Sequence, residues 1–334
     1  MKKSFVESTE FKKTIAQLRD YISTAKKEKH KLLILPHAGP DGDAIGSAYG
    51  LYLGFKSQGL DVSLACKDSV PGNMEFLGCQ DLFLKDFDET AYDTFIFVDC
   101  GDKVLTKFHK DKPRILSPDV FRINIDHHPT NDNFGAINFV HTTASSACAI
   151  VAHIWQALGV TITPQMATSL LLGLYTDTGG FVHQNTTPLT YNTAATLIEK
   201  GGSVTKIAQN IFHSYDYKTL KLWGKVLQNL HITEDGAAIV GVPKEEYESL
   251  GATRQDLGGV VDLINSMPEA RYSIMLAEDN KGNVKASLRT RKEDVDVKAL
   301  AEKFGGGGHV KASGFTIPHG KLKKEVKWKI ITEE

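Results

Sequence analysis

Lys31-Leu-Leu-Ile-Leu-Pro36 runs straight into His37-Ala-Gly-Pro-Asp41-Gly-Asp43-Ala-Ile-Gly-Ser47. The unbroken apolar run suits a strand buried on both faces. A Gly/Asp-rich turn follows, then Ile45, Ala48, Tyr52 and Phe55 recur at helical spacing until Gly59 stops the helix. Working outward, Asp61–Ala65, Thr94–Val98 and Phe121–Ile125 read as further strands, the last two running into Asp99 and Asp126. Upstream, Phe11, Ile15, Leu18 and Ile22 mark a helix capped by Ser8 or Thr9. Downstream, a helical stretch from Pro164 to about Tyr175 leads to Asp177-Thr-Gly-Gly180. Strands alternating with helices predict an α/β fold with a doubly wound, mainly parallel sheet.

The texture changes in the second half. Residues 188–228 read as a helical connector, so the first domain is expected over 1–187. A smaller α+β domain is expected over 229–334. Its signals are a hairpin at the Glu234-Asp-Gly236 turn, another at Asp279-Asn-Lys-Gly282 and short helices over Leu257–Ser266 and Val297–Phe304. The length of 334 residues agrees with two domains at ~150 residues each.

Composition narrows the function. Hydrophobic residues make up 41% and charged residues 24%, the profile of a globular chain with a real core. Lys+Arg 39 against Asp+Glu 40 leaves no surplus of positive charge for coating long duplex nucleic acid. Cys66, Cys79, Cys100 and Cys148 contain no CxxC pair and read as buried small hydrophobes in a reducing compartment. No apolar run approaches the ~18 residues of a membrane span, and the N-terminus lacks a signal-peptide pattern. A cytoplasmic protein with no membrane association is expected.

Four segments carry the chemistry: His37-xxx-Asp41-x-Asp43, Asp99, Asp126-His127-His128 and Asp177. In an open α/β sheet the loops after the strands converge on one crevice. Five carboxylates gathered there repel unless protons or cations intervene. Oxygen and imidazole donors without thiolate suit Mn²⁺ or Mg²⁺ better than structural zinc. Taken singly, an Asp such as Asp99 or Asp177 is more often a helix cap than a ligand, and Asp43 also suits an N-cap; the combination is what points to two metal ions clamping a phosphoryl group. Near the other end, Gly305-Gly-Gly-Gly308-His309 follows a helix and precedes the probable strand Ala312–Ile317. Bare glycines let backbone N–H groups approach an anion, although a helix C-cap with a flexible link is the plainer alternative.

On these motifs the sequence resembles the DHH phosphoesterase superfamily, and its second half resembles the DHH-associated C-terminal domain through Ser287-Leu-Arg289 and the glycine run with His309. The resemblance implies two Mn²⁺ ions, with Mg²⁺ as substitute. His37, Asp41 and Asp99 would hold one. Asp43, Asp99, His127 and Asp177 would hold the other, with Asp99 bridging. Asp126 would orient the site from behind the ligands and His128 would face the scissile phosphate. Ser287, Arg289, Gly306, Gly307, Gly308 and His309 would bind substrate.

In size and domain content the chain looks most like the oligoribonucleases that also hydrolyse 3′-phosphoadenosine 5′-phosphate. The expected reaction is phosphodiester hydrolysis of very short single-stranded RNA to mononucleotides by two-metal activation of a bridging hydroxide. Phosphatase activity on nucleoside bisphosphates would accompany it. A linear or cyclic dinucleotide phosphodiesterase (pApA, c-di-AMP) and an inorganic pyrophosphatase are the alternatives. No protein partner is evident, and a homodimer stays open.

Overall fold

β1 (Lys31–Pro36) is the buried strand its composition implies, with Leu32 to Leu35 all excluded from solvent. The computed structural model describes residues 4–211 and 215–323. β1 is flanked by β2 (Asp61–Ala65) and β4 (Thr94–Val98). The two-residue β3 (Phe83–Leu84) pairs outside β2, and β5 (Phe121–Asp126) and β6 (Ile137–Val140) follow β4. All pairings are parallel, in the order β3-β2-β1-β4-β5-β6. The winding reverses between β1 and β4, so the loops leaving their carboxyl ends diverge and open a crevice.

The strands bury both faces. Leu32, Ile34, Ile96, Val98, Ile123 and Ile125 pack in one core with residues of α1 (Thr9–Glu28), α2 (Gly42–Ser57), α3 (Ala147–Leu158) and α4 (Pro164–Asp177). Leu33, Leu35, Phe95 and Phe97 pack on the other side with Phe87, Phe108 and Ile115. This second layer is carried by short 3-10 turns (Lys103–Thr106, Phe108–Lys110, Pro113–Leu116) where a doubly wound fold usually has full helices. Residues 99–120 hold no sustained helical period, and Pro113 opens the last of these turns.

α2 and α4 approach closely because Gly42, Gly46 and Gly50 leave a bare stripe on α2. A Cβ at Gly42 would stand 2.5 Å from Thr176 Oγ1, and one at Gly50 2.5 Å from Leu170 Cδ2. That closeness brings the start of α2, with Asp41 and Asp43, beside the end of α4, with Asp177.

The chain divides into two compact units, Met1–Ser214 and Tyr215–Glu334. The stretch expected as a connector is helical but is shared out between them. α5 (Pro188–Glu199) and α6 (Val204–Ile211) pack on α4 of the first unit, whereas α7 (Tyr217–Gln228) supplies Leu222 and Val226 to the second core.

The second unit continues with β7 (His231–Ile232), β8 (Ala237–Val242), α8 (Lys244–Glu248), α9 (Val260–Ile264), β9 (Tyr272–Glu278) and β10 (Val284–Arg289). α10 (Val297–Glu302), β11 (Gly307–His309) and β12 (Ala312–Ile317) complete it. The sheet order is β11-β12-β10-β9-β8-β7, antiparallel except between β8 and β9. The helix expected over Leu257–Ser266 is only the five-residue α9, and the one expected to reach Phe304 ends at Glu302. All four cysteines are buried and unpaired. Among the described residues no helix is long and apolar enough to cross a membrane.

Candidate metal centre

His37 follows β1, Asp99 follows β4, and Asp126 ends β5 with His127 and His128 directly after it. Asp41 caps α2, its Oδ1 accepting the N–H groups of Asp43 and Ala44 at 3.0 Å each. Asp43 lies in the first turn of α2, and Asp177 is the last residue of α4. These eight residues, separated by up to 140 positions, meet at one crevice. Their ligand atoms form three groups, each with atoms within 4.8 Å of one another: His37, Asp41 and Asp99; Asp43, His127 and Asp177; and Asp99 with Asp126, His127 and His128. A cavity of about 230 Å³ opens above them, walled also by Gly101, Leu105 and Thr130.

Asp99 is the centre. Its Oδ2 lies 3.6 Å from His37 Nε2 and its Oδ1 3.5 Å from His127 Nε2. One oxygen therefore faces each ligand group. The backbone there is left-handed, with φ of 56°, which costs a non-glycine residue about 1–2 kcal/mol. His37 Nδ1 donates to the Ala38 carbonyl at 3.1 Å, which turns Nε2 toward the carboxylates. His127 Nε2 lies 3.7 Å from Asp43 Oδ2 and 3.2 Å from Asp177 Oδ2.

Asp43 is fully buried and is held by the start of α3. The N–H groups of Ala147 and Cys148 donate to its two oxygens at 2.6 and 2.8 Å. A helix N-terminus favours a carboxylate there. Asp126 sits behind the imidazoles: its Oδ1 accepts from His128 Nδ1 at 2.8 Å and from the His127 N–H at 2.8 Å, and its Oδ2 accepts from Asn131 Nδ2 at 2.7 Å. Nothing in the sequence singled out Asn131 or the start of α3. An Asn two residues before another Asn in a polar turn, and a Ser145-Ser146 pair before an apolar run, are the weak signals they carry.

The charges are strongly coupled. Burial, then the Asp99 charge, pushes Asp43 up to about 7; burial, then the Asp43 charge, pushes Asp177 up to about 9. Burial disfavours the imidazolium of His127, but the carboxylates of Asp99, Asp43 and Asp177 outweigh it and raise the group to about 10. His37 is likewise disfavoured by burial and raised to about 11 by Asp41 and Asp99. Burial opposes the Asp99 charge, yet His127 and His37 hold its carboxyl below the usual range. Without a cation, protons are what keep the acids together.

Among the described residues Asp99 Oδ1 is buried with no hydrogen-bond partner. Leaving such an acceptor unsatisfied costs at least about 1–3 kcal/mol, and a cation between Asp99 and its neighbours removes that cost. The donors are carboxylate oxygens and imidazole nitrogens only, because burial drives the nearby Cys100 and Cys148 thiols well above their ordinary range. The residues fit a divalent metal.

In the second unit, strand register sets Lys285, Ser287 and Arg289 opposite Ala277, Met275 and Ser273, so they share one sheet face. Gly314 lies opposite Ser287 and Ala312 opposite Arg289, with Gly307 and His309 next along those rows. Of the expected substrate-binding set, Ser287, Arg289, Gly307 and His309 are thus brought to one face, and Gly306 and Gly308 alternate away from it. A cavity of about 260 Å³ on this face is lined by Ser287, Arg289, Lys285 and Arg254. Arg289 Nε donates to Asp262 Oδ1 at 3.1 Å. The glycine run is more ordered than an open anion cradle. Gly305 and Gly306 N–H groups donate to Glu302 and Ala301 carbonyls and close α10, and Gly307–His309 is an edge strand.

A crevice of carboxylates and imidazoles thus lies at the switch point of a parallel sheet. Residues 31–174 match the model of the DHH family N-terminal domain and residues 237–331 that of the DHHA1 domain, and the chain belongs to the DHH family of phosphoesterases. The bifunctional oligoribonuclease and PAP phosphatase NrnA of Thermus thermophilus is 30% identical over 304 residues, spanning 90% of this chain and 88% of that one. The protein of the same description from Bacillus subtilis is 26% identical over 289 residues, or 86% and 89% of the two chains. In three dimensions an exopolyphosphatase-related protein of Bacteroides fragilis matches with a TM-score of 0.85 at 26% identity, covering 93% of this chain and 92% of that one.

Proposed function

We propose that this phosphoesterase hydrolyses very short single-stranded RNA to mononucleotides and removes a phosphate from 3′-phosphoadenosine 5′-phosphate. The observation that carries the reading is the three-group cluster around Asp99, taken with the full-length likeness to proteins named for both activities. His37, Asp41 and Asp99 would hold one divalent ion, and Asp43, His127 and Asp177, with Asp99, the other. Mn²⁺ suits this mixed donor set, and Mg²⁺ is the natural substitute. When bound, such ions supply Lewis acidity at the phosphoryl oxygens and lower the pKa of water.

The chain's own residues do the rest. His128 Nδ1 donates to Asp126, so its ring is fixed with Nε2 available to the cavity, and the Asp126 carboxylate raises its affinity for a proton. It is suited to hand a hydrogen bond to a phosphoryl oxygen as charge builds there. Leu105 and Thr130 shape the wall beside it. In the second unit Arg289 and Ser287 would bind a substrate phosphate, with Gly307 leaving room beside them and Gly306, Gly308 and His309 shaping the adjoining strand.

The test is product analysis in Mn²⁺ with separate substrates: a 5′-phosphorylated RNA dinucleotide, a long RNA, 3′-phosphoadenosine 5′-phosphate, a cyclic dinucleotide and pyrophosphate. Fast mononucleotide release from the dinucleotide, phosphate release from the bisphosphate and slow action on long RNA are expected. Hydrolysis of pyrophosphate or of the cyclic dinucleotide alone overturns the reading.

A further inference from the structure

Asn185 lies outside every ligand group, yet it ties together the two elements that hold the Asp43–His127–Asp177 set. Its Nδ2 donates to the Ser145 carbonyl at 3.1 Å and to the Asp177 carbonyl at 3.2 Å. Ser145 precedes Ser146, the N-cap of α3, and the next two N–H groups of that helix grip the Asp43 carboxylate. Asp177 closes α4. One carboxamide thus spans the start of the helix that fixes Asp43 and the end of the helix that carries Asp177.

The span has an electrostatic purpose. Asp43 and Asp177 carry like charge: after burial, the Asp43 carboxylate raises the proton affinity of Asp177, and both raise that of His127 between them. The His127 imidazole lies between the two carboxylates, and this amide ties together the backbone of the two helix ends that carry and grip them. The amide is also delivered by a tightly folded loop. Gly179 and Gly180 take φ of 59° and 71°, Phe181 takes 70°, and the Val182 and His183 N–H groups both return to the Thr178 carbonyl at 2.9 Å. His183 Nδ1 adds a donor to the Asp177 carbonyl at 3.2 Å. Asn185 Oδ1 is buried without a hydrogen-bond partner among the described residues, so the hydrogen bonds of this amide are made by its donor side.

We propose that Asn185 is a positioning residue that sets the spacing of Asp43 and Asp177 and thereby the affinity of the second metal position. The proposal rests on the reading that this group holds a divalent ion. The staple acts through the backbone of both helices, so it alters the Asp43–His127–Asp177 group and leaves the His37–Asp41–Asp99 group alone.

The experiment is calorimetric titration of the full chain with manganese(II) chloride, alongside thermal unfolding of the metal-free protein. Asn185→Leu keeps the size and loses both donors; Asn185→Gln keeps the donors on a longer arm. Wild type is expected to take two ions. Asn185→Leu should weaken one of them at least tenfold and leave the other within twofold, and Asn185→Gln should recover part of the loss. In an Asp177→Ala background the Leu substitution should do nothing further to the remaining ion; in an Asp41→Ala background its effect should persist. Equal weakening of both ions, or unchanged binding of both, overturns the role of Asn185 while leaving the metal centre standing. Wild type that binds no ion overturns the metal reading itself and this proposal with it. If the Leu variant does not fold, Asn185→Ser is read in its place: one ion weakened at least tenfold with the other unchanged supports the staple, and both ions bound as tightly as in wild type overturns it.

Discussion

Gly173 of α4 faces Asp43 of α2 so closely that a Cβ at position 173 would stand 2.7 Å from the Asp43 Cα and also strike its carboxylate. Both sit in the buried contact that brings α2 and α4 together. Gly173→Ala should therefore destabilise the protein by about 1–3 kcal/mol, the usual cost of overpacking, and loosen metal binding. Thermal unfolding with a manganese titration reads both; a variant as stable as wild type with normal binding shows that α4 has room to shift.

Asp99 carries two constraints that substitutions separate. Asn tolerates the left-handed backbone that Asp99 adopts, whereas Ala does not, so Asp99→Ala should be less stable than Asp99→Asn by about 1 kcal/mol. Both remove the oxygen pair that faces His37 and His127 and should lower turnover on the order of a thousandfold. Substantial activity in either variant removes Asp99 from the centre of the site.

Metal binding should release protons. In the metal-free protein Asp43 is raised to about 7, Asp177 to about 9, His127 to about 10 and His37 to about 11, so at neutral pH these groups hold protons that a cation must displace. Affinity for Mn²⁺ should accordingly rise with pH from 6 to 8. Titrations at pH 7 in two buffers of different ionisation enthalpy measure the number released, and zero is the result that contradicts this account.

Adjacent glycines in the second unit should respond oppositely. A Cβ at Gly306 would meet Phe315 Cβ at 2.5 Å, whereas nothing lies within 4 Å of one at Gly307. Gly306→Ala should lower the melting temperature by several degrees, and Gly307→Ala should not. If the face carrying Ser287 and Arg289 binds substrate, Gly307→Ala and Arg289→Ala should both raise KM for a dinucleotide without changing manganese affinity. An unchanged KM in both removes that face from the binding site.

The sequence made the parallel sheet legible where strands are short, apolar and followed by a histidine or an acid, as at β1, β4 and β5. It also exposed the eight polar residues of the cluster, because carboxylates and imidazoles at strand ends have few structural uses in combination. The start of α3 was silent for the opposite reason: Ala147 to Trp155 is buried throughout, so no polar face marks where the helix begins. β11 was hidden because an edge strand of glycines owes its existence to pairing with β12, not to its own residues. Asn185 carries no chemical signature, and Asn131 only the weak one of a polar turn. Their importance lies in which carbonyls and carboxylates the fold sets beside them. The left-handed backbone at Asp99 is likewise a property of the turn, invisible in a residue type that more often caps helices.

Every member of the ligand cluster lies between His37 and Asp177, and the amide that braces it follows at Asn185. The ribosome therefore lays down the complete cluster about forty residues before the first residue of the second unit, Tyr215. The chain thus carries every residue proposed to hold metal before it carries Ser287 or Arg289, and the two proposed capabilities are encoded in separate units, in that order.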